Sequence, residues 1–325
     1  MYGSEEILEK INQGLANLEL EGQPFGLYQP IRYVLSMGGK RLRPVLMLMA
    51  YNMYRDDVDK ILPVALGLEV YHNYTLLHDD VMDRAEVRRG KPCVHKVWNE
   101  NTAILSGDTM LVLAYQLVAQ CPSKQLKGVL DLFTKTALEI GEGQQYDIDF
   151  EERLDVTVAE YIEMIRLKTS VLLACALKMG AMQAGASASD ADALYSFGEK
   201  IGLAFQLQDD MLDVYGDFDT FGKKIGGDIL CNKKTYLLIQ ALASSQGQDH
   251  DQLLEWIGAT EFDADEKVKA VTAIYDQVEV KGMCQDRINE YFHEARVILE
   301  NDVKLPLEKK HLLWEYALSL LSRES

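Results

Sequence analysis

PVALGLEVYHNYTLLHDDVMD, residues 63–83, decides how this chain folds. Pro63 suits the first turn of a helix, where a missing N–H is not needed. A long apolar run follows, and it ends in Asp79, Asp80 and Asp83. The same pattern recurs as Asp209, Asp210 and Asp213, again closing an apolar stretch. Like charges at i,i+4 repel, and a helix dipole is negative at its C-terminal end, so folding alone disfavours carboxylates there. A chain that accepts this twice has cations to neutralise it. Oxygen ligands with no Cys or His cluster nearby point to a hard divalent ion, Mg²⁺ before others. A solvated acidic face is the bland alternative, and one copy of so short a pattern would not exclude it. Two copies, each interrupting an apolar helix, argue against it.

Outward from these motifs the chain reads as helix after helix with little strand-like alternation. Pro30 opens a short helix through Leu35 that ends at Gly38-Gly39, and Arg43 to Tyr54 forms the next, with Pro44 in its first turn. The helix begun at Pro63 is broken only by Gly90 and Pro92. Ala103–Ala119 reads as a helix buried on most sides, and Leu126 to Tyr146 as another. The small and apolar residues of Val158–Gly185 suggest tight packing. Ser189 or Asp190 caps the helix that carries the second acidic motif and stops at Gly216. Residues 216–228, rich in Gly, Asp and Lys, read as a loop, and the C-terminal third as amphipathic helices. No linker divides the chain. The expected fold is all-α, one domain over residues 1–325.

Composition fits a globular protein with a sizeable core: 325 residues, 48% hydrophobic and 26% charged. The formal net charge of −18 argues against nucleic acid as a partner. Against that background Gly38-Gly39-Lys40-Arg41-Leu42-Arg43-Pro44 and Arg88-Arg89-Gly90-Lys91 are dense basic patches. Guanidinium forks match phosphate oxygens, so together they suggest a small, strongly anionic ligand. The five cysteines (Cys93, Cys121, Cys175, Cys231, Cys284) show no CxxC spacing, which suggests neither a disulfide framework nor a zinc site. No signal peptide is expected, since no basic region precedes an apolar run at the N-terminus. No uninterrupted apolar segment approaches the ~18 residues of a membrane span, and a reducing cytoplasm is the expected setting.

Residues i and i+4 of a helix share one face about 6 Å apart, so Asp79 with Asp83, and Asp209 with Asp213, can share metal ions. Facing helices of this kind would hold a diphosphate through bridging metals, because Mg²⁺ prefers one or two carboxylates plus phosphate and water. Val70, Tyr74, Leu76 and Leu77 would form a greasy pocket beneath for a hydrocarbon tail.

At this point the chain resembles the trans-isoprenyl diphosphate synthases, the farnesyl and geranylgeranyl diphosphate synthase family. The resemblance rests on GGKRLRP at 38–44, HDDVMD at 78–83, RRG at 88–90 and GQQYD at 143–147. It continues through KTS at 168–170, FQLQDD at 205–210, GKKIGGD at 222–228 and KKT at 233–235. It implies an all-α helical bundle of the isoprenoid synthase type around a central substrate cavity, working as a homodimer. It also implies that Asp79, Asp80, Asp83, Asp209, Asp210 and Asp213 hold Mg²⁺, three ions per site, with the allylic diphosphate. Arg88, Lys168 and Lys223 would contact that diphosphate, with Lys233 close by. Lys40, Arg43, His72 and Arg89 would hold isopentenyl diphosphate without metal. Thr169 and Gln206 would aim their dipoles at an allylic cation. The implied reaction is a head-to-tail 1′-4 condensation: diphosphate leaves, the isopentenyl double bond attacks, and the departing diphosphate takes the proton. Water must be excluded, and the 216–228 loop, with Lys223 and Lys224, is expected to close for that purpose.

Bulk one turn or so before Asp79 sets where elongation stops. Tyr74 is large and Thr75 small, and the first motif has no insertion, a pattern similar to the archaeal-type geranylgeranyl enzymes. A C20 product is expected, with C15 next. A class I terpene cyclase shares the metal chemistry but lacks a second DDxxD and an isopentenyl site. A non-catalytic partner subunit would have lost acids or arginines that are present here.

Overall fold

The computed structural model describes residues 1–216 and 225–321. The all-α expectation holds, with one short hairpin among the described residues. Helices α1 (Ser4–Ala16), α2 (Phe25–Leu35) and α3 (Leu42–Asn52) lead to α4 (Leu62–Met82), the helix of the opening stretch. A hairpin of β1 (Val87–Arg88) and β2 (Lys91–Pro92) follows, then α5 (Val94–Val97), α6 (Glu100–Val118) and α7 (Ser123–Glu151). Beyond these come α8 (Val158–Ile165), a π turn (Arg166–Ser170), α9 (Val171–Ala184) and α10 (Ala188–Tyr215). The last third holds α11 (Gly227–Leu230), α12 (Tyr236–Ser244), α13 (Gln248–Gly258), α14 (Ala264–Gln277), α15 (Val280–Asn301) and α16 (Leu307–Leu321).

The chain forms two compact units. Residues 1–134, 175–194 and 305–313 make the first, with α4 at its centre against α6, α3, α1 and α2. Val64, Ala65 and Leu68 of α4 are wholly buried there, each of the larger ones contributing about 1.5–3 kcal/mol. Residues 135–174, 195–216, 225–304 and 314–321 make the second, whose core includes Leu172, Phe197, Leu207, Cys284 and Ile288. No helix among the described residues is long and apolar enough to cross a membrane.

Several boundaries depart from the sequence reading. Pro30 lies inside α2 rather than at its start, beyond the first turn, so its missing N–H removes an intrahelical bond. Helix α4 stops at Met82, before Gly90 and Pro92, with Asp83 as its C-cap. Arg89 and Gly90 both take positive φ, 52° and 73°, and so turn the hairpin. Asp190 donates its backbone N–H to the Ser187 hydroxyl at 3.0 Å, so Ser187 caps α10 in place of Ser189 or Asp190. Helix α6 is not buried on most sides: Ile104, Leu105 and Val112 are 44%, 59% and 67% exposed.

Candidate functional site

In the first unit the acidic motif divides by direction. Asp80 is buried, and its Oδ1 accepts from Arg88 Nε at 2.9 Å and Nη2 at 2.5 Å. Burial works against the Arg88 charge, and the Asp80 carboxylate more than offsets it, raising the guanidinium pKa. Cys93 also lies against Asp80; burial and that carboxylate push the thiol up to about 12, so it carries its proton. Asp79 is half-buried, with Arg88 Nη2 4.0 Å from its Oδ2, and Asp83 is exposed at the C-cap of α4.

The basic residues of the same unit form a second cluster. Arg43 Nη1 stands 3.1 Å from His72 Nε2. A guanidinium only donates, so Nε2 accepts and the imidazole proton sits on Nδ1. Burial and the Arg43 charge hold His72 neutral, well below the usual imidazole range. Arg89 Nη1 donates to the Gly38 carbonyl and lies 3.5 Å from Asn73 Oδ1. Lys40 is exposed on the glycine loop beside them. Adjacent residues of the hairpin therefore serve different anchors, Arg88 the carboxylate of Asp80 and Arg89 the glycine loop.

Tyr74 sits in an aromatic group of this unit, its ring centroid 5.5 Å from Tyr71 and 4.8 Å from His78, with Phe133 5.1 Å from Tyr71. Thr75 is half-buried and donates to the His72 carbonyl at 2.8 Å. Val70 and Leu77 are buried.

The second unit assembles its site on α10 and the π turn. The wider π turn interrupts the regular ladder where Lys168 and Thr169 lie, a form that recurs at functional sites. Thr169 Oγ1 donates to Gln206 Oε1 at 3.0 Å, and Gln206 Nε2 donates to Asp210 Oδ1 at 3.0 Å. The Tyr161 hydroxyl donates to Asp210 Oδ2. Asp210 is thus buried like Asp80, and burial with the Asp228 charge pushes it up to about 7. Asp209 and Asp213 are half-buried, and Asp213 Oδ2 accepts the Asp228 N–H at 2.9 Å.

Lys168 Nζ donates to Asp147 Oδ2 at 2.6 Å, and Lys233 Nζ lies 3.9 Å from the same oxygen. Burial opposes the Asp147 charge, yet the two ammonium groups hold its carboxyl below the ordinary value. Gly143, one turn before Asp147, has no room for a Cβ, which would lie 2.4 Å from the Lys168 nitrogen. Lys223 and Lys224, and so most of the loop expected to close, lie outside the described residues.

Among the described residues no group of three or more His, Cys, Asp or Glu side chains is placed to hold a metal ion by itself. The outer carboxylates, Asp79 and Asp83 in one motif and Asp209 and Asp213 in the other, offer oxygen donors alone. This suits an ion that completes its shell with phosphate and water. Three participants escaped the sequence reading. Asp147 was visible only as the last residue of GQQYD; Tyr161 and Cys93 carry no local signal, because their partners come from other segments.

A family model described as polyprenyl synthetase matches residues 25–275. The chain is 38% identical to a short chain isoprenyl diphosphate synthase of Methanocaldococcus jannaschii over 280 residues, covering 86% of this chain and 85% of that one. It is 37% identical to a geranylgeranyl diphosphate synthase of Methanosarcina mazei over 304 residues, covering 93% and 91%. A crystal structure of a geranylgeranyl pyrophosphate synthase superposes with a TM-score of 0.94 at 42% identity, covering all of both chains. The chain belongs to the polyprenyl synthetase family, the trans-isoprenyl diphosphate synthases.

Proposed function

We propose that the chain is a short-chain prenyl diphosphate synthase, a prenyltransferase that joins isopentenyl diphosphate head-to-tail to an allylic diphosphate. The observation that carries this reading is the split between Arg88 and Arg89. Arg88 is paired with an acidic motif, while Arg89 joins Gly38 and the Arg43–His72 pair. Two separate cationic stations suit two diphosphates, one of them held through metal. Relatives named for geranylgeranyl synthesis, together with Tyr74, support a C20 product.

In this reading Asp79, Asp83, Asp209 and Asp213 hold divalent cations, Mg²⁺ and three in number on the family's pattern. When bound, they neutralise the allylic diphosphate and help it leave. Asp80 and Asp210 are oriented by Arg88, Cys93, Tyr161 and Gln206, and they support the outer carboxylates. Arg88, Lys168, Lys223 and Lys233 bind the allylic diphosphate. Lys40, Arg43, neutral His72 and Arg89 bind that of isopentenyl diphosphate. Thr169 and Gln206 present oxygen dipoles where positive charge develops on the allylic carbon. Loss of the carbon–oxygen bond frees diphosphate, the isopentenyl double bond attacks the cation, and the departing diphosphate accepts the proton.

The match over 25–275 supports reading residues 1–325 as one synthase domain. Exposed Leu105 and Val112 support a homodimer, since a second copy would cover them. The five unbridged cysteines support a reducing, cytoplasmic setting. The test is incubation with isopentenyl diphosphate and each allylic primer in Mg²⁺, followed by chromatography of the extracted products. A C20 product is expected, and no elongation with any primer would refute the reading.

A further inference from the structure

Glu69 is a carboxylate of α4 with 1% exposure and no place in the assignments above. A buried carboxylate has to be offset by partners. Arg41, itself buried, gives Nη1 to Glu69 Oε1 at 2.7 Å and Nη2 to the Leu35 carbonyl at 2.7 Å. One guanidinium thereby ties the glycine loop to α4 and to the end of α2. Asn73, one turn on, donates Nδ2 to the Glu69 carbonyl at 2.8 Å and to Oε1 at 2.9 Å. That orients its amide so that Oδ1 faces Arg89.

The loop backbone is shaped to match. Gly38, Gly39 and Arg41 take φ of 79°, 125° and 49°. Left-handed backbone is unfavourable for a non-glycine residue, so Arg41 keeps it because its side chain is anchored. A Cβ on Gly39 would stand 2.7 Å from Arg89 Cζ, so loop and guanidinium are in direct contact. Stability alone does not explain the buried pair, since a well-packed apolar pair of similar volume is often as stable.

We infer that Glu69, acting through Arg41 and Asn73, is the positioning residue of the isopentenyl diphosphate subsite. It fixes both the loop that carries Lys40 and the Arg89 guanidinium, and it touches no substrate. The inference rests on the proposed assignment of Lys40, Arg43, His72 and Arg89 to that diphosphate.

The test is steady-state kinetics with each substrate varied in turn, on three forms of the full chain. Glu69→Gln keeps the shape and removes the charge. Arg41→Met with Glu69→Leu removes both charges, so no unpaired ion is left to unfold the protein. Arg89→Ala reports on the subsite itself. Both Glu69 forms are expected to raise KM for isopentenyl diphosphate about tenfold and to leave the allylic KM within about twofold, as displacement of binding groups predicts. Arg89→Ala should raise the same KM at least as much. An unchanged isopentenyl KM in a folded double variant overturns the positioning role, as does a loss confined to kcat. If Arg89→Ala leaves that KM unchanged, the subsite assignment falls first and the inference with it.

Discussion

Asp80 and Asp210 hold the same place in their motifs and receive the same treatment, each buried and each met by donors from another element. Such support orients a carboxylate for its neighbours. Tyr161→Phe removes one donor to Asp210, and is expected to lower apparent Mg²⁺ affinity by about tenfold or more, read from the metal dependence of the rate. Asp210 also gives the metal-free protein a pH signature. Its carboxyl titrates at about 7 in the folded chain against 3.8 for a free one, so the folded state binds more protons in that window. Stability should therefore fall as pH rises across the window, and Asp210→Asn should flatten the slope in a series of melting temperatures. Asp147, held below its ordinary value, acts in the opposite sense and only below the window. Tyr74→Ala, by emptying part of the aromatic group, should lengthen the product by at least one five-carbon unit on chromatography. An unchanged product would place the floor elsewhere. The six aspartates were legible because their spacing and helix-end position conflict with folding economy. Their division into outward and inward pairs was not, because Arg88, Cys93 and Tyr161 reach them through tertiary structure.

Elements were legible where the sequence carries punctuation. Pro63 places the start of α4 to within a residue, although the helix ends at Met82, before the break read at Gly90 and Pro92, and Gly216 marks the end of α10. The π turn at Arg166–Ser170 left no trace, since an extra residue in a helical turn has no compositional signature. Helix α6 shows a different limit. Its apolar residues surround the helix in sequence, and hydropathy does not tell a core face from a face covered by another copy. Leu105 and Val112 lie outside the core, so on the proposed homodimer Leu105→Glu with Val112→Glu should leave the fold intact and give a monomer in sedimentation. A variant that sediments like the parent would remove α6 from the interface.

At the scale of the molecule, the buried acid of each motif already has donors within the protein, Asp80 from Arg88 and Asp210 from Tyr161 and Gln206. The fold is therefore not expected to depend on metal. Chelation of divalent cations should abolish product formation while the helical circular dichroism signal persists, and added Mg²⁺ should restore turnover. Loss of helix on chelation would contradict this. Family and class were legible over most of the chain because many short motifs occur in a fixed order, whereas the braces between them were not. The hairpin after α4 carries one more consequence. Arg88 and Arg89 are consecutive, and a trans peptide holds neighbouring Cα atoms about 3.8 Å apart. On the proposed assignment, both diphosphate heads are served from one turn of one hairpin. What parts them is the pair of anchors, Asp80 for Arg88 and the Gly38 carbonyl for Arg89, so a single tight turn links two binding stations.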